Sequence, residues 1–311
     1  MKRLFVNQSS RTAMMIRSII DNEKIDQDLV CVISARGTPQ MEPAATEKAM
    51  SELYLLGGRF RYLKHLSIWK IDREIELFLC NEPYILCVGG LGPRLHRILA
   101  THRLCSGVEI MEEGHGSLFP HGLIHWNIGK FEKIICSFEL FPRLSKALKK
   151  DAFTQESVSF FYQLCQNSFS YVPSNRRKMI PPSISRSNYD RFEGQGVIIA
   201  IDEVSIASYS SVVGLVKFAL NQVVEGSSFQ WIAISQHPST SETNRKKFLD
   251  KLNITSVIDI NALSINLEDL IYRTKPVVIS GESSIWQIAQ QNGCVFINYR
   301  LGLKASYSVI S

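Results

Sequence analysis

The feature that most constrains this chain is the regular alternation of short apolar runs with longer amphipathic segments. Continuous apolar runs are typical of strands that are buried on both faces of a parallel sheet. The predicted strands are Leu4–Val6, Leu29–Ile33, Tyr84–Val88, Val108–Met111, Lys133–Cys136, Val197–Ile201, Phe229–Ile234, Ser256–Ile258, Pro276–Ile279 and Cys294–Ile297. Helices are predicted between them, at residues 12–22, 43–56, 92–102, 207–224, 241–252, 267–273 and 284–292. The alternation predicts an α/β fold. Tyr62–Cys80 differs, and its alternating pattern favours an antiparallel hairpin.

The strongest boundary in the chain is the segment Tyr171–Glu193, which is rich in proline, serine and charge and has no apolar period. Such composition predicts a linker or an exposed loop. Five predicted strands lie on each side of it. We therefore predict two Rossmann-like domains that face each other across a cleft, residues 1–170 and 194–311, joined by a linker at 171–193. The linker's Arg176, Arg177 and Lys178 are interpreted as solvated, with contact to an anionic acceptor or membrane as the alternative.

Composition excludes several protein classes. Of 311 residues, 45% are apolar and 21% charged, which excludes a disordered chain and a coiled-coil rod. The seven cysteines are odd in number and form no C-x-x-C pair, which favours a reducing compartment. The N-terminus has no signal-peptide core, and no apolar run is long enough to span a membrane. We expect a cytoplasmic protein, with peripheral attachment to the inner face of the cytoplasmic membrane left open.

The net charge of +6 is compatible with an anionic substrate, a nucleic acid or an acidic membrane, and does not choose among them. Basic residues are not interleaved with aromatic ones in a stripe, so no nucleic-acid partner is expected.

An acidic pair follows the predicted strand Val108–Met111, as Glu112-Glu113-Gly114. In a parallel sheet, ligands bind beyond the carboxyl ends of the strands. Adjacent like charges and partial burial raise the pKa of one carboxyl group, which suits a general base acting on a hydroxyl. The alternative interpretation is a solvated acidic turn. His115 follows this motif, and acceptor contact or a surface position is predicted for it.

Two further motifs also come directly after predicted strands. His237-Pro238 follows the run that begins at Trp231, and a histidine there can donate a proton to a phosphate. Ser283-Ser284 lies at a predicted helix start, where hydroxyl and free N–H groups bind phosphate. An ordinary loop histidine and a simple helix cap are the respective alternatives.

In this order, the three motifs resemble those of the bacterial sialyltransferases, which include lipooligosaccharide sialyltransferases and capsular polysialyltransferases. The resemblance implies a GT-B fold and transfer of sialic acid, with inversion and without a metal, from CMP-sialic acid to a surface glycan. It implies that Glu113, or else Glu112, is the general base in the N-terminal, acceptor-side domain. It implies that His237, with Pro238, assists the leaving phosphate, that Ser283 and Ser284 hold it, and that Glu268 binds the ribose.

Other segments are assigned lesser roles. Gly114, His115, Ser9 and Ser10 are candidates for the acceptor side, with a helix cap as the alternative for the serines. Asp26-Gln27-Asp28 is the one Asp-x-Asp pattern, and it precedes a predicted strand, so no metal site is predicted there. CMP carries only one phosphate, so no metal or other cofactor is expected to be needed.

Three other functions remain open. A transferase of another CMP-activated acid sugar, such as Kdo, keeps the fold and changes the donor. A NAD-dependent oxidoreductase is suggested by the glycine turn 89–92. However, Leu95 occupies the third glycine position of the dinucleotide fingerprint, and a tight turn that lines the cleft is the favoured interpretation. The third is a non-catalytic glycan-binding protein on the same scaffold.

Overall fold

The structure is a computed structural model of the chain. It describes residues 1–35, 46–49, 64–91, 93–113, 117, 158–166, 168–183, 189–201, 209–224, 228–236, 240–254, 256–263, 265–281 and 285–300. The chain divides into two compact units, Met1–Ser183 and Ile184–Ser311.

The first unit is built on a seven-stranded sheet in which every pair of neighbours is parallel. The strands are β1 (Lys2–Asn7), β2 (Val30–Ser34), β3 (Thr46–Ala49), β4 (Tyr84–Val88), β5 (Cys105–Met111), β6 (Val158–Gln163) and β7 (Arg177–Met179). Their order is β3-β2-β1-β4-β5-β6-β7, so the direction of winding reverses between β1 and β4. This is the order of a Rossmann sheet, in which ligands bind at the carboxyl edge near the reversal.

Three described helices belong to this unit, namely α1 (Ser10–Glu23), α2 (Lys64–Phe78) and α3 (Arg94–Ala100). Its core combines strand residues such as Leu4 and Leu86 with Leu95 and Leu99 of α3. The helices therefore lie where apolar strand faces need cover.

The hairpin predicted for Tyr62–Cys80 is wrong, because the described part of that segment forms α2. Ile68, Ile71, Ile75 and Leu79 are buried. Their spacing of three and four residues places them on one helical face. The polar residues between them made the segment resemble an alternating strand.

The strand prediction for the first unit was incomplete. β3 lies inside the helix predicted at 43–56, and β6 and β7 were not predicted. β7 has the sequence Arg-Lys-Met at the sheet edge, and charged residues are usual on edge strands. Residues 171–183, predicted as linker, therefore belong to the first unit. The predicted strand Lys133–Cys136 lies outside the described residues.

The second unit contains a five-stranded parallel sheet. Its strands are β8 (Gly196–Ile201), β9 (Trp231–Gln236), β10 (Val257–Asp259), β11 (Val277–Ser280) and β12 (Phe296–Asn298). Its helices are α4 (Tyr209–Val224), α5 (Glu242–Leu252), α6 (Leu267–Thr274) and α7 (Ile285–Gln291). The order β10-β9-β8-β11-β12 repeats the reversal seen in the first unit. The predicted α/β fold with two Rossmann-like units is confirmed.

Two apolar cores lie on the two faces of the second sheet. Ile198 and Ala200 of β8 belong to one, and Val197 and Ile199 belong to the other. Alternate residues of a strand point to opposite faces, so both faces of this sheet are buried. That explains why this strand is apolar throughout.

Candidate functional site

In the first unit, the carboxyl ends of β1, β4, β5 and β6 lie side by side at one edge of the sheet. The chain leaves these strands through Gln8–Ser9, Gly89–Gly90, Glu112–Glu113 and Leu164–Cys165 respectively. Because neighbouring parallel strands end at the same edge, residues far apart in the sequence meet there. We call this set of four connections the carboxyl edge.

Glu112 is fully buried and engaged on both carboxyl oxygens. Its Oε1 accepts from the guanidinium of Arg11, with which it forms an ion pair. Its Oε2 accepts from the backbone N–H of Leu164 at 2.8 Å and of Cys165 at 2.9 Å. A carboxylate held in this way ties α1 and the end of β6 to the end of β5. It has no free oxygen with which to take a proton from a substrate.

Glu113 is only partly buried and lies next to Gly89. No hydrogen bond or ion pair joins its carboxyl group to any described residue. Burial raises the pKa of Glu113 to about 7. At neutral pH the group is therefore balanced between acid and base, as general acid–base catalysis requires.

The Gly89–Gly90 turn lies against Glu113 and leads from β4 toward α3. The imidazole of His96 on α3 is completely buried, and its Nδ1 donates to the Gly90 carbonyl oxygen at 2.5 Å. Burial lowers the pKa of His96 to about 4, so the ring is neutral at physiological pH. Arg97, next along the helix, acts in the same direction.

The start of α1 is fixed by a reciprocal cap. Ser9 Oγ accepts from the Thr12 backbone N–H at 3.2 Å, and Thr12 Oγ1 accepts from the Ser9 backbone N–H at 2.8 Å. Ser9, predicted on the acceptor side, is thus the N-cap of α1. Ser10 is the first residue of the helix. Gly114 and His115 lie outside the described residues.

In the second unit, the predicted phosphate-binding residues, His237, Pro238, Ser283 and Ser284, all lie outside the described residues. The strands that lead to them are described: β9 ends at Gln236 and β11 ends at Ser280. Both strands are neighbours of β8 and end at the same edge of the sheet.

Glu268, the predicted ribose ligand, lies in the first turn of α6 with Asp269 beside it, and both side chains are buried. The Tyr189 hydroxyl donates to Asp269 Oδ2 at 3.5 Å, while Asn266 caps the helix. Since α6 follows β10 and precedes the parallel strand β11, it begins on the side where β10 ends.

Arg11, Gly89 and His96 also lie at the carboxyl edge or contact it. No local pattern pairs Arg11 with Glu112, because the two residues are 101 positions apart in the sequence. Gly89 belongs to the glycine turn 89–92. The short helix after this turn begins beyond Pro93 and lacks the third glycine of the dinucleotide fingerprint.

The basic residues of the predicted linker have structural partners. Lys178 Nζ pairs with Glu23 at 2.8 Å, and Arg176 donates to the Val158 carbonyl oxygen. Arg176 also lies over the Phe161 ring, 5.8 Å from its centroid. Arg176 and Lys178 are therefore held by residues of the first unit and are not simply solvated.

Within the described ranges, no helix combines the length and the apolar character that crossing a membrane requires.

No protein-family model and no curated protein matches the sequence. Among solved structures, a candidate UDP-N-acetylglucosamine 2-epimerase of Listeria monocytogenes matches 96% of this chain and 78% of its own, at 9% identity and a TM-score of 0.52. The UDP-GlcNAc 2-epimerase of Methanocaldococcus jannaschii, in complex with UDP-GlcNAc and UDP, covers 96% and 83%, at 11% and 0.48. An α/β-galactoside α-2,3-sialyltransferase of Photobacterium phosphoreum covers 92% and 87%, at 11% and 0.48. At such identities, the likeness is one of fold alone.

Proposed function

We propose that this protein is an inverting, metal-independent glycosyltransferase that moves sialic acid from CMP-sialic acid to a hydroxyl of a bacterial surface glycan. The acceptor is a lipooligosaccharide or a capsular polysaccharide, and Glu113 is the general base. The observation that carries the proposal is the contrast between two adjacent carboxyl groups. Glu112 is occupied by Arg11 and two backbone N–H groups, whereas Glu113 is unpartnered within the described part and has a raised pKa.

The proposed reaction has one displacement step. The acceptor oxygen forms a bond to the anomeric carbon of sialic acid while Glu113 takes the hydroxyl proton. The bond between that carbon and the phosphate oxygen breaks, and its electron pair leaves with CMP. Attack from the face opposite the leaving group inverts the anomeric centre.

A carboxyl group with a pKa of about 7 is a stronger base than an ordinary glutamate. At pH 7.5 most of it is still ionised, so strength and availability are combined. This fits the removal of a proton from a weakly acidic sugar hydroxyl.

On the donor side, the proposal assigns roles by resemblance. His237 donates to the departing phosphate, Ser283 and Ser284 bind it, and Glu268 accepts from the ribose hydroxyls. Hydrogen-bond donors that face developing phosphate charge stabilise the transition state without a metal.

The decisive test compares Glu113→Gln with the wild-type protein in an assay of CMP release from CMP-sialic acid with a glycan acceptor. We expect turnover to fall by about 10²–10⁴-fold, the usual contribution of a general base. CMP should still raise the melting temperature of the variant. Wild-type turnover in Glu113→Gln contradicts the assignment of the base.

The donor class is tested by thermal shift with CMP, UDP, GDP, ADP and NAD at equal concentrations. A ligand at a hundredfold excess over its dissociation constant stabilises the folded state by about 2.7 kcal/mol. Stabilisation by CMP alone supports the proposal. Stabilisation by UDP alone favours a UDP-sugar enzyme, and by NAD alone an oxidoreductase, and either result overturns the donor assignment.

A further inference from the structure

The Gly89–Gly90 turn lies against the side chain that we propose as the general base. A Cβ atom added at Gly89 would lie 2.6 Å from Cδ of Glu113, 2.7 Å from its Cβ, and closer still to Oε2. Real Cβ atoms essentially never approach other atoms to less than 3.0 Å. Because the Cβ of Glu113 is fixed to its backbone, rotating the side chain cannot relieve that contact. Position 89 therefore has to be glycine if Glu113 is to keep its place.

The turn itself is held from behind by α3. His96 Nδ1 donates to the Gly90 carbonyl oxygen at 2.5 Å, and the imidazole is fully buried. Since the ring is neutral, one tautomer carries the proton on Nδ1 and keeps this hydrogen bond at every physiological pH. The turn has a fixed anchor that does not titrate together with Glu113.

We propose that His96 is a positioning residue, which holds the Gly89–Gly90 turn as a seat for the Glu113 carboxyl group. The seat keeps the carboxyl partly out of water while leaving it open to an acceptor hydroxyl. The inference rests on the proposed function only where it calls Glu113 a base.

The charged groups on the surrounding elements do not replace the seat. Arg11 on α1 is ion-paired with Glu112, and Arg97 on α3 acts on His96. Burial is the cause that raises the pKa of Glu113. Disrupting the Gly89–Gly90 turn should therefore return the pKa of the Glu113 carboxyl group toward its ordinary value.

The first experiment is an NMR titration of the protein labelled with ¹³C at glutamate carboxyl groups, with Glu113→Gln to assign the resonance. We expect the wild-type resonance to titrate near pH 7. In Gly89→Ala it should move toward the ordinary value of about 4.3. Gly107→Ala is the matched control, because it lies on β5, the strand that leads to Glu113, and its Cβ would meet Ser159 Oγ at an ordinary 3.6 Å. A folded Gly89→Ala protein that still titrates near 7 overturns the proposal.

The second experiment tests the anchor and stands even if Gly89→Ala fails to fold. Asparagine at position 96 carries an N–H group close to the position of Nδ1, whereas phenylalanine fills the space without a donor. His96→Asn should keep the wild-type titration, and His96→Phe should lower the pKa of Glu113 by at least one unit, a tenfold change in its protonation equilibrium. Equal wild-type titrations in both variants overturn the positioning role.

The titration uses no substrate, so its result is independent of the proposed transferase activity. If Glu113→Gln keeps full turnover while the wild-type carboxyl titrates near 7, the proposed function fails and the seat stands. If the carboxyl titrates near 4.3 in the wild type, the seat fails whatever the activity.

Discussion

Two polar clusters lie on strand β5 and directly after it, and they differ in how their carboxylates are partnered. Near its middle, Glu109 meets Arg3 with Nη1 to Oε2 at 2.5 Å. Arg3 in turn pairs with Glu23 at 2.8 Å, and the Tyr162 hydroxyl donates to Glu23 at 2.7 Å. Lys178 completes this group, which we call the inner cluster. At the carboxyl edge, only a few residues further along, Glu112 is paired, whereas Glu113 has no partner among the described residues.

The two clusters show how neighbouring groups change the effect of burial on the pKa of a carboxyl group. In the inner cluster, burial raises the pKa of Glu109, and Arg3 opposes that shift. Burial also acts to raise the pKa of Glu23, but hydrogen bonds from Lys178 and Tyr162 hold it below its ordinary value. At Glu113, burial raises the pKa and no described residue opposes that shift. The carboxylates that have cationic or hydrogen-bonding partners stabilise the fold, whereas the one without such a partner is available for chemistry.

The largest effect on stability is expected from breaking the ion pair between Arg11 and Glu112. Glu112→Gln leaves Arg11, a residue that is only 2% exposed, without its counter-charge. The loss of one partner of a buried ion pair costs about 3–5 kcal/mol. Urea denaturation at pH 7 measures this, with Glu113→Gln as the control that should not be destabilised. A loss below about 1 kcal/mol would mean that Glu112 is not a structural residue.

The next effect breaks the inner cluster. Arg3→Met removes the cation that Glu109 and Glu23 share, and we expect a loss of about 2 kcal/mol, as for hydrogen bonds to charged groups. In the double variant Arg3→Met with Glu109→Gln, the loss should be smaller than the sum of the single losses, because no buried carboxylate is left unpaired. Additive losses in urea denaturation would show that the two residues act independently.

A smaller effect is expected on how the folding stability depends on pH. The pKa of Glu113 is about 7 in the folded state, against an ordinary value of about 4.3, so the folded protein binds a proton more tightly than the unfolded chain. Ionisation therefore destabilises the wild type as pH rises from about 4.3 to about 7, and Glu113→Gln is spared. The stability of the variant relative to the wild type should increase by about 1–2 kcal/mol between pH 5 and pH 8, allowing for the partial exposure of the group. A pH-independent difference contradicts the raised pKa.

The smallest effect is expected where a pair is fully open to water. Glu242 and Lys246 of α5 pair at 3.1 Å, with both side chains more than 70% exposed. Because solvent and salt screen such pairs, Glu242→Gln should leave the denaturation midpoint within experimental error at low and at high salt. A clear salt-dependent loss would show that pairing alone, without burial, stabilises this protein.

Much of the fold was predictable from the sequence, because its signals are local. The runs at β4 and β8 are apolar throughout, as strands covered on both faces must be. β3 and β7 are not predicted because they are edge strands with charged residues, which lack that signal. α2 was mistaken for a hairpin because a helix with one narrow buried face also alternates over short stretches.

The site divides in the same way. By itself, the sequence determined that an acidic pair follows the buried strand β5, and that glycines follow β4, because position after a strand is a local property. Only the tertiary structure decided which carboxylate is free. Arg11, 101 residues from Glu112, neutralises that residue and not its neighbour. Gly89 lies against Glu113, and His96 bonds the adjacent Gly90. Contacts between residues this far apart depend on the order of the strands, which no local pattern encodes.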